Sequence, residues 1–179
     1  MKKKTAVGLV LLVFAGITLF CSAPQDTRPQ ILVSPKGLVH SFWLTVKAGA
    51  DSAGKEFDAN VIWKGPSVET DIATQIGILE DYINKDVDAI VLAACDANAL
   101  NPALQKAEEA GIPVVTIDSG VDSDIPRSLI ATDNVQAAKK AADAIAELTG
   151  GSGQLALIPF VPGAATSNMR ENGFKEGLK

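Results

Sequence analysis

Gly111-Ile112-Pro113-Val114-Val115-Thr116-Ile117-Asp118-Ser119 is the stretch that decides the fold. A turn residue and a proline open it, β-branched residues fill it, and a carboxylate ends it. A continuous apolar run bounded by turn signals reads as a strand buried on both faces, as in a parallel sheet covered by helices. Asp118 then stands at the carboxyl end of that strand. In open α/β sheets that edge is where ligands bind.

The same grammar extends in both directions. Upstream, the sequence predicts a strand over 31–34 and a helix from Phe42 to Glu56, with Phe42, Val46, Ala50 and Ala53 on one face. A second strand over 60–63 follows. Ser67 then reads as the N-cap of a helix to about Asn84, striped by Ile72, Ile76, Leu79 and Ile83. A strand over 88–93 and a helix over 97–110, closed by Gly111, lead into the opening stretch. Downstream come a strand over 128–131, a helix over 134–148, a strand over 154–158 and a helix from about Thr166. Strands alternating with helices predict right-handed βαβ units and an α/β fold with a doubly wound parallel sheet.

The chain has 179 residues, of which 47% are hydrophobic and 21% charged, enough for a packed core. Residues 1–21 stand apart from it. Lys2, Lys3 and Lys4 precede an apolar or small run that ends at Cys21, the pattern of an export signal peptide. The position of Cys21 suggests a lipoprotein in which this thiol carries the lipid, although Phe20 is bulkier than the residue that usually precedes such a cysteine. Residues 22–30, with Pro24 and Pro29, read as a tether. Without the three lysines, 13 basic residues face 21 acidic ones, a net charge of about −8. No basic cluster lies outside the signal. That argues against nucleic acid, which demands a cationic footprint.

Catalytic and cofactor motifs are weak or missing. Gly49 to Lys55 has the glycine and lysine spacing of a phosphate loop, but Glu56 replaces the hydroxyl residue and the segment sits inside a helix. His40 is the only histidine, and with Cys95 it cannot make a standard zinc site. The expectation is a protein without metal or cofactor that is not an enzyme. Cys95 reads as a small buried residue at a strand end.

The chemistry-bearing residues gather at strand ends. Lys36, His40, Phe42 and Trp43 follow the first strand. The helical period allows Phe42 to face inward while Trp43 turns about 100° away. Either ring packs in the core or stacks on the C–H face of a sugar. His40 either donates to a ligand hydroxyl or bonds the helix start. Asp118 offers two oxygens to adjacent hydroxyls, or serves as a cap or a buried pair. Arg170, on the last helix, offers a forked pair of bonds or a surface salt bridge.

Together these residues resemble the ribose-type periplasmic sugar-binding proteins, the type I solute-binding components of ABC importers. The landmarks are Phe42-Trp43 with Val46-Lys47-Ala48-Gly49-Ala50; Asp71 and Gln75; Asp88-Ala89-Ile90-Val91; Gly111 to Asp118; Ala131-Thr132-Asp133-Asn134; and Arg170 with Gly173-Phe174. The resemblance implies two α/β lobes closing on a sugar. Residues 31–132 would form most of the N-terminal sugar-binding lobe, and 133–179 the first hinge crossing and the start of a truncated C-terminal lobe, so the chain is expected to be an N-terminal fragment. It also implies a ligand set of Lys36, His40, Phe42, Trp43, Asp118, Ser119 and Arg170. His40 stands where ribose binders place an Asn and Ser119 where they place an Arg. A pentose, hexose, polyol or furanose therefore all stay open. The implied setting is the periplasm or cell surface, with a lipid anchor, a monomeric receptor and an ABC permease as partner. Alternatives are a sugar sensor feeding a chemotaxis or kinase system, and a LacI-type regulator core. The latter requires a DNA-binding N-terminus where this chain has an export segment.

Overall fold

The computed structural model describes residues 26–179. The signal segment, Cys21 and the first part of the tether lie outside the described residues. β1 (Gln30–Ser34), β2 (Asn60–Trp63), β3 (Ala89–Leu92), β4 (Val114–Ile117) and the short β5 (Leu129–Ile130) form one parallel sheet in the order β2-β1-β3-β4-β5. α1 (Ser41–Glu56), α2 (Ile72–Asn84) and α3 (Asn101–Glu109) are the crossovers, and α4 (Asn134–Leu148) and α5 (Ala165–Gly177) pair with each other beyond the sheet. The strand order reverses at β1, so β1 and β3 flank a switch point of the kind where doubly wound sheets bind ligands.

The main core lies on the α2–α3 face. Leu32, Ile90, Leu92 and Val114 project from alternate strand positions onto Leu79, Leu100 and Leu104, all buried. The opposite face is thinner. Val114 and Thr116 are buried, but Val115 and Ile117 are only half-buried, so β4 is covered on one face rather than two. A groove of about 340 Å³ runs there between α1 and the sheet, lined by Val33, Val46, Ala50, Phe57, Val91 and Ile117.

Several element boundaries differ from the sequence reading, each for a local reason. α2 is capped by Asp71, whose side chain accepts from the Thr74 N–H at 3.1 Å, and not by Ser67. Residues 67–70 are held out of the helix because Glu69 is bonded elsewhere, as described below. α3 starts four residues late. Asp96 Oδ1 takes the N–H groups of Asn98 and Ala99, both at 2.8 Å, and Ala97 N–H goes to Gly163 O at 3.1 Å, so 97–100 form a turn. Residues 154–158 are not a strand. They run exposed, with no described strand beside them to take their backbone groups. α5 approaches α4 closely because Gly173 and Gly177 face it: a Cβ at Gly177 would meet Ala142 Cβ at 2.7 Å, and one at Gly173 would strike the Val135 carbonyl.

Candidate functional site

The carboxyl edge of the sheet carries three charged side chains from three different strands. Lys36 lies two residues past β1, Glu69 in the turn between β2 and α2, and Asp118 directly after β4. The Lys36 side chain is buried, only 5% exposed, and its ammonium faces three polar groups. It lies 3.0 Å from Asp118 Oδ2, 3.5 Å from Glu69 Oε2 and 3.4 Å from Thr166 Oγ1 at the start of α5. Asp118 has φ of +55°, in the left-handed region, which Asp tolerates better than most residues. Its N–H donates to Ile130 O at 3.0 Å and the next N–H turns back to Ile117 O. That sharp turn ends β4 and aims the carboxylate at Lys36.

The aromatic pair is arranged opposite to expectation. Trp43 is the inward ring, only 1% exposed, and Phe42 is 46% exposed. The two rings meet edge to face with centroids 4.8 Å apart. Trp43 turns inward because its indole N–H finds an acceptor there, Glu69 Oε1 at 3.0 Å. The Lys36 ammonium sits 5.8 Å from the Trp43 ring centroid. Phe42 is therefore the ring with an open face.

His40 is the N-cap of α1: its Nδ1 accepts the Phe42 N–H at 3.2 Å. A neutral imidazole accepting at Nδ1 carries its proton at Nε2, which leaves a donor for the cleft. Arg170 has Asn134 as its described partner rather than a carboxylate: Arg170 Nε donates to Asn134 Oδ1 at 2.7 Å, and Asn134 Nδ2 donates to Thr132 O at 2.9 Å. Asn134, buried at the start of α4, thereby steers the guanidinium and leaves its terminal nitrogens for other acceptors.

Six of the seven residues expected to hold ligand, namely Lys36, His40, Phe42, Trp43, Asp118 and Arg170, line one cavity of about 310 Å³, within the range of small-molecule sites. Ser119 lies beneath it, fully buried, with its Oγ 3.5 Å from both the Oγ1 and the N–H of Thr166. The cavity wall also includes Glu69, Phe160 and Thr166, which the sequence reading missed. Glu69 lies within the turn between β2 and α2 rather than at a strand end, and only its contacts with Trp43 and Lys36 bring it to the site.

A buried glutamine ties the floor together. Gln75 Nε2, from α2, donates to Ala93 O at 2.9 Å and lies 3.3 Å from Pro35 O, while its Oε1 accepts the Cys95 N–H at 2.9 Å. It thus links the loops after β1 and β3. Cys95 is fully buried, and burial pushes its thiol up to about 12.

The fold and the site together define an α/β lobe with a polar and aromatic cavity open at the carboxyl edge of its sheet. A sequence profile of the periplasmic binding protein domain matches residues 31–179, and the chain belongs to that family. It is 31% identical to the ribose import binding protein RbsB of Bacillus subtilis over 97% of this chain and 59% of that protein. It is also 31% identical to a D-ribose/D-allose-binding protein of Pseudomonas aeruginosa, over 87% of this chain and 51% of that one. The crystal structure of an ABC transporter solute binding protein from Agrobacterium vitis with bound D-fucose superposes with a TM-score of 0.80 at 38% identity, covering 83% of this chain and 53% of that chain. All three are named as binding proteins and none as an enzyme. The chain spans between half and three fifths of the length of these relatives.

Proposed function

We propose that the protein is an extracytoplasmic receptor that captures a monosaccharide, or a similar polyhydroxylated solute, for an ABC importer. The observation that carries this reading is the convergence of an open aromatic face (Phe42), a carboxylate (Asp118), a guanidinium (Arg170) and two further donors (Lys36, His40) on one cavity of about 310 Å³. A sugar presents an apolar C–H face and a ring of hydroxyls, and this set matches both. Phe42 stacks on the ring face. Asp118 accepts from hydroxyls, and Arg170, Lys36 and His40 donate to their oxygens.

The cleft lies between the sheet edge and the start of α5, so a bound sugar bridges the two and shifts the population toward the closed form. Membership of the periplasmic binding protein family and the sugars named for its relatives support the reading. So does the acidic composition, which suits a neutral solute better than a polyanion. The receptor is monomeric, held to the outer face of a membrane by a lipid on Cys21, and delivers its ligand to a permease. Cys21→Ser would then move the protein from the membrane to the soluble fraction.

The decisive experiment is calorimetric titration of the full-length protein with D-ribose, D-allose, D-fucose, D-arabinose and xylitol, with product analysis of each mixture. The reading expects saturable binding of at least one of these and unchanged sugar. Absence of binding throughout the panel, or chemical conversion of the ligand, would overturn it.

A further inference from the structure

Glu69 is the residue of the cavity wall whose chemistry is unexplained by the reading above. Its Oε1 is fixed by the Trp43 indole N–H at 3.0 Å. Its Oε2 is buried and makes no hydrogen bond, although the Lys36 ammonium stands within ion-pair range at 3.5 Å. A buried carboxylate oxygen without a hydrogen bond is unfavourable, and such groups survive where they do something else. Asp118 Oδ2 faces the same ammonium at the shorter distance of 3.0 Å. Lys36 is thus bracketed by two carboxylates, one anchored by the Trp43 indole and one directly after β4. Asp118 is the one assigned to ligand hydroxyls. Once a sugar takes those oxygens, its grip on Lys36 weakens, and the second carboxylate decides where the ammonium goes.

We infer that Glu69 is a specificity-determining positioning residue: it holds the Lys36 ammonium beside Asp118, so that a donor and an acceptor present themselves side by side to neighbouring oxygens of a neutral sugar. This rests on the sugar-receptor reading and names the pair that sets which arrangement of hydroxyls is accepted. Glu69 itself touches no ligand and acts through Lys36. The indole bond fixes the direction of the carboxylate. The Lys36 side chain is buried, with its ammonium 5.8 Å from the Trp43 ring centroid, so the ammonium is placed within a narrow range. A sugar whose two adjacent oxygens fit one donor and one acceptor is selected. An epimer that misplaces one of them leaves a buried charged group unmatched, which is strongly disfavoured.

The test is a double-mutant cycle on the full-length protein, read by calorimetry with whichever panel sugar binds the wild type most tightly. Glu69→Gln keeps the size of the side chain and an oxygen for Trp43 but removes the charge. It is expected to weaken that sugar roughly tenfold and to narrow the preference over the other panel members. Lys36→Met is expected to weaken it roughly a hundredfold. If Glu69 acts through Lys36, the double variant binds no more weakly than Lys36→Met alone. Losses that multiply in the double variant, or a Glu69→Gln protein with wild-type affinities in wild-type rank order, would overturn the inference while leaving the receptor reading intact. A wild type that binds no panel sugar strikes at the receptor reading instead. Glu69→Asp supplies the second variant should Glu69→Gln fold poorly. It retains the charge but withdraws it by one methylene, so it is expected to lose selectivity while melting near the wild type, and an unchanged rank order in it overturns the inference equally.

Discussion

At the scale of single residues, Asp118 does two jobs that pull in different directions. It ends β4 in a left-handed conformation, φ +55°, and it neutralises the buried Lys36 at 3.0 Å. Asp118→Asn keeps the side-chain shape and suits that backbone, because Asn also tolerates it. It should therefore keep the β4 turn and lose less stability than Asp118→Ala, because a neutral oxygen still accepts from the ammonium, yet bind sugar roughly tenfold to a hundredfold more weakly, the worth of a charge-assisted hydrogen bond. Asp118→Ala should show the same loss of affinity and, in addition, lose about 1–3 kcal/mol of stability in denaturant titration, since the ammonium loses its nearest partner. Equal affinity in Asp118→Asn would remove Asp118 from the site. Cys95 makes a different case. Its thiol, ordinarily near 9.0, is raised to about 12 by burial. Below pH 9 both folded and unfolded forms hold the proton, so Cys95 confers no pH dependence there. Between about 9 and 12 only the unfolded chain releases it, so stability falls as pH rises. Urea titrations at pH 8 and pH 10 should show the wild type losing more than Cys95→Ala, and native Cys95 should alkylate at least roughly tenfold more slowly than in denaturant.

At the scale of elements, the strands and most helix bodies were legible because hydrophobic period is a local property. The stripe Ile72, Ile76, Leu79, Ile83 and the run from Val114 to Ile117 carry their own signal. Helix starts were less legible wherever a long-range partner decided them. Ser67 is a good N-cap by type, but the helix waits for Asp71 because Glu69 is held by Trp43, 26 positions earlier. The reversal of Phe42 and Trp43 has the same origin: the period turned Phe42 inward, but the indole N–H went to the side with an acceptor and carried Trp43 there instead. The strand at 154–158 failed for the opposite reason, since an apolar run cannot by itself supply the neighbour a strand pairs with. Within the site, Asp118 and Lys36 were readable from their places just past strand ends and Arg170 as a guanidinium on the last helix, whereas Asn134, Thr166 and Glu69 depend on tertiary approach. Gln75 shows how elements are locked into the arrangement the site requires. Gln75→Leu would strand Ala93 O, Pro35 O and Cys95 N–H without partners. It should lower stability by about 2–4 kcal/mol and weaken sugar binding, because the loop that carries Lys36 is no longer tied to β3. Wild-type affinity in a destabilised Gln75→Leu protein would show that the loop holds its shape unaided.

At the scale of the whole molecule, the cleft has two sides that the chain reaches far apart in sequence. Lys36 and Asp118 belong to the sheet edge, while Thr166 and Arg170 belong to α5, and polar contacts already join them: Lys36 Nζ to Thr166 Oγ1 at 3.4 Å, Ser119 Oγ beside Thr166 at 3.5 Å, and Ala97 N–H to Gly163 O at 3.1 Å. The buried Ser119 serves this junction rather than the cavity. A ligand that bridges both sides stabilises the folded protein by mass action, about 2.7 kcal/mol at a hundredfold excess over Kd. That gain vanishes if either side stops contributing. Asp118→Asn and Arg170→Met should therefore each suppress the sugar-induced rise in Tm, whereas Phe57→Ala, on the groove at the far face of the sheet, should leave the rise intact. A full rise in Arg170→Met would mean that the sheet edge alone binds the sugar and that α5 closes over an already occupied site.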